Sequence, residues 1–295
     1  MLDKKSVVIA LGFFDSLHVG HRQVINTAKS MAKELGVEPA VFTFDGNLKS
    51  VILNRPEKFV YSVNERRILI TDLGVNEVFF APTTKEFLAK DKITFLNYIN
   101  EIYNIKGYVC GEDYTFGEGG LGNINTLKNY AESKGQSVEI VNSVNDDLGR
   151  VSTTRIKRLL TDGNIIKANL LLGKNFFILG KVYGDRKVGK ELGFPTVNIK
   201  TEEGKITLLD GVYSGYTIID NKVYKCVINC GARPTFSLYE KVIEAHIIDF
   251  SGDLYGKEVA IHFLSRIRDV QKFSSKEMLI KRITEDVNSV IGNIW

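Results

Sequence analysis

Cysteine is scarce in this chain: Cys110, Cys226 and Cys230 are the only three in 295 residues. An odd number without a Cys-x-x-Cys pair offers no disulfide framework, and each lies in an apolar, strand-like setting. The expectation is buried, reduced thiols in a cytoplasmic protein. Long apolar runs are missing as well. None approaches the roughly 20 residues that cross a bilayer, so a soluble protein is expected. Lys4 and Lys5 ahead of residues 7–11 imitate the start of a secretory signal, but Asp15 interrupts it and no small-residue cleavage site follows. Charge of one sign is also lacking. The formal net charge is +4, and the basic residues are scattered, a balance that small phosphorylated ligands explain as readily as nucleic acid does. There is no internal repeat and no low-complexity linker.

What remains is an ordinary globular composition, 44% apolar and 25% charged, on a chain long enough for two domains. The halves differ in texture. In the first, apolar runs at 7–11, 40–44, 77–81 and 107–110 alternate with helical patterns ending at Leu35 and near 63–73 and 94–102. This predicts an α/β domain with a parallel sheet wrapped by crossover helices. After about Asn175, closely spaced strands are predicted at 176–183, 196–200, 211–219, 222–229, 242–250 and 258–263. They argue for an antiparallel barrel or sandwich. A final helix is signalled by Ser274-x-x-Glu277 as a capping box, with Ile280, Ile283, Val287 and Val290 on one face. The boundary is expected within 160–174, giving domains 1–172 and 173–295.

Histidine is rare too, yet two of the four fall three residues apart in Gly12-Phe13-Phe14-Asp15-Ser16-Leu17-His18-Val19-Gly20-His21. Two loop histidines can simply be satisfied by water or backbone. Here, however, they occupy a strand-to-helix junction, where free backbone N–H groups and the helix dipole favour anions. Imidazole N–H groups at that point can meet charge developing on a transferring phosphorus. A metal is disfavoured, since no third ligand lies nearby. Gly111-Glu112-Asp113-Tyr114-Thr115-Phe116-Gly117, just past another strand end, reads as a ligand loop or a flexible surface loop. Ser152-Thr153-Thr154-Arg155-Ile156-Lys157-Arg158 opens a helix. Ser152 or Thr153 is a plausible cap, but basic residues at the positive end of the dipole are unfavourable unless an anion binds.

The second half has its own candidates. Thr196 and Asn198, two apart on an extended chain, present two oxygens on one side, a hard donor set suited to Mg²⁺. Glu244 lies in an otherwise apolar strand, so it either faces a pocket as a general base or forms a structural ion pair. His246 shares its face and reads as a neighbour.

Taken together, the His18-x-x-His21 block, Gly111 to Gly117, Val151-Ser152-Thr153-Thr154-Arg155-Ile156, Gly193-Phe194-Pro195-Thr196-Val197-Asn198, Gly231-Ala232-Arg233-Pro234-Thr235-Phe236 and Asp253-Leu254-Tyr255-Gly256 resemble, in order, the bacterial bifunctional riboflavin kinase/FAD synthetase family. The resemblance implies a Rossmann-like nucleotidyltransferase domain with helices on both faces of its sheet, then an antiparallel flavokinase barrel with a C-terminal helix. It implies that ATP phosphorylates riboflavin to FMN in the second domain, and that a further ATP adenylylates FMN to FAD in the first. By the same resemblance Thr196 and Asn198 hold Mg²⁺ and nucleotide phosphates, Glu244 is the base, and His18, His21, Ser152, Thr153 and Arg155 grip the triphosphate. Gly12, Phe13, Asp15, Gly20, Gly111, Asp113, Phe116 and Gly117 complete the first site, and Gly180, Lys181, Gly184, Gly189, Lys190 and Pro195 the second. Arg268, Lys272 and Phe273 look like the flavin-side segment. The implied partners are riboflavin, FMN and ATP, without nucleic acid or membrane, in a monomer or weak homo-oligomer.

Three positions depart from the pattern. Gly46-Asn47-Leu48 stands where Pro-His-Pro is common, Ser16 where glycine is usual, and Lys190 where arginine is common, which loses a bidentate fork. The alternatives they leave open are a kinase with a weakened adenylyltransferase domain, or a flavin-sensing regulator.

Overall fold

The computed structural model describes residues 4–184, 193–234 and 239–292. The chain divides into two compact units, Met1–Thr153 and Thr154–Trp295.

The first unit contains β1 (Ser6–Leu11), α1 (Val19–Glu34), β2 (Glu38–Phe44), α2 (Leu48–Ile52), α3 (Val63–Asp72), β3 (Glu77–Ala81), α4 (Lys85–Leu88), α5 (Lys92–Ile102), β4 (Asn104–Gly111), α6 (Ile124–Ser133) and β5 (Ser137–Val141). A short hairpin, β6 (Asn145–Asp146) and β7 (Gly149–Arg150), follows. The five longer strands pair in parallel in the order β3-β2-β1-β4-β5. Right-handed crossovers then place α1 and α3 on one face and α5 and α6 on the other, because the strand order reverses direction at β1. One face is a continuous aromatic core, in which Phe42 of β2 meets Phe95 of α5 edge-on at 5.5 Å. Helix α3 starts at a capping box, with Glu65 N–H donating to Ser62 Oγ and Ser62 N–H to Glu65 Oε2.

In the second unit, α7 (Thr153–Thr161), which opens on the last residue of the first, and α8 (Ile165–Leu172) precede β8 (Phe177–Tyr183), β9 (Thr196–Lys200), β10 (Gly211–Ile219), β11 (Lys222–Pro234), β12 (Tyr239–Ile247), β13 (Glu258–Arg268) and α9 (Lys276–Gly292). The six strands form a closed antiparallel barrel, β10-β11-β12-β9-β8-β13. Closure depends on Gly215 of β10, where a Cβ would lie 2.1 Å from the His262 carbonyl oxygen of β13. Along β12, buried Ile243, Ala245 and Ile247 pair with Cys230, Ile228 and Cys226 of β11, while Glu244 and His246 take the opposite face. Helix α9 seats Val287 and buried Val290 against Val212, Val227 and Ile248. Lys225 Nζ donates to the Ile291 carbonyl at the end of α9, where the dipole favours a cation.

Two element ends differ from expectation. The cap of α9 is Ser275, whose Oγ accepts from Met278 N–H, so the box expected from Ser274 and Glu277 gives way to a plain serine cap one residue later. β12 ends at Ile247 rather than 250, just before Asp249 turns with φ +58°. The division by compactness falls at 153/154, ahead of the expected 172/173. Helix α8 is tied into the second unit by Asn169, whose Nδ2 donates to Phe263 O of β13 and whose Oδ1 accepts from Phe176 N–H.

Candidate active sites

At the point where the strand order reverses, β1 and β4 lie side by side and their chains continue in opposite directions. Ligands of open α/β sheets bind at such a point, beyond the carboxyl ends of the strands. A cavity of about 740 Å³ opens there, lined among others by Gly12, Phe13, His18, Gly20, His21, Gly111, Asp113, Phe116, Gly117, Ser152 and Thr153. Residues far apart in the chain are thus gathered at one mouth. Asp15 is not part of the lining. It is buried, and its Oδ1 accepts from Val60 N–H at 2.7 Å, so it anchors the loop instead. Arg155 follows in α7, within the second unit, and is also not among the lining residues.

The two histidines form a built pair. His18 caps α1, its Nδ1 accepting from His21 N–H at 3.2 Å, and the rings stack with centroids 3.7 Å apart. Because Nδ1 is an acceptor, the proton of the neutral His18 ring sits on Nε2. Burial lowers the His18 pKa from 6.5 to about 4. Burial also takes His21 well below its ordinary value, reinforced by His18 and Arg150. At neutral pH the pair therefore offers N–H donors, not cations. The buried Nδ1 of His21 has no hydrogen-bond partner among the described residues, a cost that a ligand in the cavity can remove.

This pair sets a pH dependence. Folded pKa values below the unfolded value of 6.5 mean that the unfolded chain binds more protons, so stability is present above pH 6.5 and is lost as pH falls towards 4. For His18 alone the shift corresponds to a loss on the order of 3 kcal/mol. Urea unfolding at pH 7.5, 6 and 5 is expected to show a shallower decline for His18→Asn than for the unaltered protein. Equal slopes would contradict this account.

Arg150 was not singled out in the sequence, although it directly precedes Val151-Ser152. In β7 it lines the cavity and pairs with Asp113 at 2.6 Å. The apolar wall was likewise missed. Phe44, Leu48, Ile52, Phe87, Leu88 and Phe95 come from four different elements, and singly each reads as core. Two of the departures, Ser16 and Asn47, have structural partners. Ser16 Oγ lies 2.9 Å from Thr153 Oγ1, and Asn47 both caps α2 through Oδ1 and donates from Nδ2 to Glu57 O.

On the barrel, β9 and β12 place Asn198 directly opposite Glu244, and Thr196 opposite His246. Thr196 Oγ1 donates to Glu244 Oε1 at 2.8 Å. Asn198 is buried and Glu244 half-buried. His246 Nδ1 meets the Pro195 carbonyl at 2.8 Å, which fixes the turn just ahead of Thr196. Gly180 is required by packing, since a Cβ would lie 2.5 Å from Lys200 O. Lys181 is exposed between Lys200 and Glu258, and Gly184 approaches the Tyr255 ring. Gly189 and Lys190 lie outside the described residues. The guanidinium of Arg268 grips buried Asp286 of α9 through Nε and Nη2 at 2.7–3.0 Å. Lys272 is exposed and Phe273 half-buried beyond β13.

Comparison with known proteins gives two family matches, FAD synthetase over residues 1–155 and riboflavin kinase over residues 172–292. A bifunctional riboflavin kinase/FMN adenylyltransferase of Bacillus subtilis is 32% identical over 292 residues, covering 96% of this chain and 91% of that protein. One from Listeria monocytogenes is 31% identical, covering 95% and 90%. A crystal structure from Streptococcus pneumoniae, described as a macrolide-efflux protein, matches with TM-score 0.87 at 30% identity, covering 100% of this chain and 96% of that one. Among the described residues no helix is long and apolar enough to cross a membrane.

Proposed function

The chain belongs to the family of bifunctional riboflavin kinase/FMN adenylyltransferases, and from that premise we propose how its two sites divide the work. The second unit phosphorylates riboflavin with ATP, and the first adenylylates the resulting FMN with another ATP. Both are transfers at phosphorus, in which a protein chiefly positions groups and stabilises charge.

In the first unit a phosphate oxygen of FMN attacks the α-phosphorus of ATP, and the bond to pyrophosphate breaks. The attacking phosphate is already an anion, so no general base is needed. His18 Nε2–H and the His21 ring, with the Ser152 and Thr153 hydroxyls, meet the charge that builds on the triphosphate. The observation that carries this reading is the stacked, neutral histidine pair capping α1 at a cavity on the switch point. Neutral donors suit the role, because they stabilise developing charge without holding the product as a fixed cation would.

In the second unit Glu244 accepts the proton of the ribityl hydroxyl, whose oxygen attacks the γ-phosphorus of ATP as the bond from that phosphorus to the ADP oxygen breaks, leaving FMN and ADP. Thr196 directs its hydroxyl proton to Glu244 Oε1, which fixes the carboxylate and leaves the Thr196 oxygen lone pairs as acceptors. Oxygen donors on Thr196 and Asn198 fit Mg²⁺, which would take its remaining ligands from phosphates and water. When bound, the ion would neutralise phosphate charge. The three cysteines are free and buried, in keeping with a reducing, cytoplasmic setting.

Incubation with riboflavin and MgATP, followed by chromatographic separation of the flavins, tests the reading. FMN is expected first and FAD after it, and a chelator in excess over Mg²⁺ is expected to stop FMN formation. FMN without FAD would overturn the assignment of the first unit, and no conversion would overturn both.

A further inference from the structure

The mouth of the first cavity is built from the carboxyl ends of parallel strands, and this creates an electrostatic problem. Carbonyl oxygens there carry partial negative charge at the place where a triphosphate has to sit. The loop leaving β1 is also costly, since Phe14 and Leu17 adopt φ of +51° and +45°. Such conformations in residues other than glycine persist only where the surroundings hold them.

Arg66 of α3 answers both. It is 3% exposed, and its Nη1 donates to Phe13 O at 3.2 Å and to Thr43 Oγ1 at 3.1 Å, while Nη2 donates to Phe44 O at 2.7 Å. Thr43 Oγ1 donates in turn to Phe13 O at 2.7 Å, closing a triangle. The guanidinium carbon also lies 5.4 Å from the Phe13 ring centroid and 5.5 Å from that of Phe80. Phe13 and Phe44 both line the cavity. One buried fork thus ties the loop just past β1 to the end of β2 and occupies a carbonyl from each.

We propose that Arg66 is a positioning residue of the adenylylation site: it holds the Phe13 and Phe44 carbonyls, fixes the loop that presents His18, and adds buried positive charge behind the triphosphate. The proposal rests on the reading of this cavity given above. A lysine cannot replace the planar fork, because an ammonium is a point charge without its two parallel donors.

The test is steady-state kinetics of both reactions on Arg66→Lys in the full chain. The KM for ATP in FMN adenylylation is expected to rise about tenfold while kcat falls less than about threefold, since binding geometry is lost and the reacting groups stay. FMN formation from riboflavin is expected to be unchanged. Thr43→Val, which removes two sides of the triangle at constant shape, is expected to raise the same KM about threefold. An unchanged KM for ATP in Arg66→Lys, or an equal fall in both activities together with thermal stability, would overturn the proposal. If Arg66→Lys does not fold, Thr43→Val decides, and an unchanged KM there overturns it. A cavity wrongly assigned would show separately, as wild-type FAD formation by the His18→Asn enzyme.

Discussion

Glu244→Gln is expected to lower FMN formation from riboflavin by about 100- to 10,000-fold, the usual contribution of a positioned general base. The substitution keeps the shape and retains an oxygen that can accept from Thr196 Oγ1, as Glu244 Oε1 does now at 2.8 Å. The β9–β12 register, with Asn198 opposite position 244, is a matter of backbone hydrogen bonds and does not depend on the carboxylate. What disappears is the group that takes the hydroxyl proton. Conversion of supplied FMN to FAD should continue at the original rate. The measurement is the initial rate of each step on separated flavins, and a Glu244→Gln enzyme that still makes FMN at the original rate would remove Glu244 from the chemistry.

For the other reaction, His18→Asn is expected to slow FAD formation from FMN by roughly 100- to 1,000-fold, the range seen when one preorganised donor to developing charge is lost. Asparagine is the informative replacement because it is among the best helix caps. Its side-chain oxygen can accept from His21 N–H in place of His18 Nδ1, so α1 keeps its start. Alanine would also remove the cap, at about 1 kcal/mol, and confuse folding with catalysis. Loss of FAD formation with FMN formation intact and an unaltered melting temperature at pH 7.5 is the expected pattern. An Asn variant as active as the parent would leave His18 only a capping role and remove the assignment of this cavity to adenylylation.

Local chemistry made much of this legible in the sequence. The strand, glycine turn and helix around His18 are a short-range pattern, and the barrel strands alternate or punctuate clearly enough to be found from 196–200 and 211–219. The failures follow from length scale. β5 leaves little trace in the sequence, because it is a short strand with Ser137 and Glu139 exposed. The cavity's apolar wall was hidden for a different reason: Phe44, Phe87 and Phe95 carry no mark that separates a lining residue from a core residue. Arg268 adds a contact that no local pattern announces, since the packing of α9 brings Asp286 against its guanidinium.

By itself, then, the sequence determined the two kinds of fold, their order and the short motifs, because periodicity, turns and caps act over a few residues. Which side chains meet was decided only by tertiary structure. Ser16 beside Thr153, Thr196 against Glu244 and Arg66 beneath two strand ends join residues 137, 48 and 22–53 positions apart. Such encounters are set by strand order and register, which no local pattern encodes.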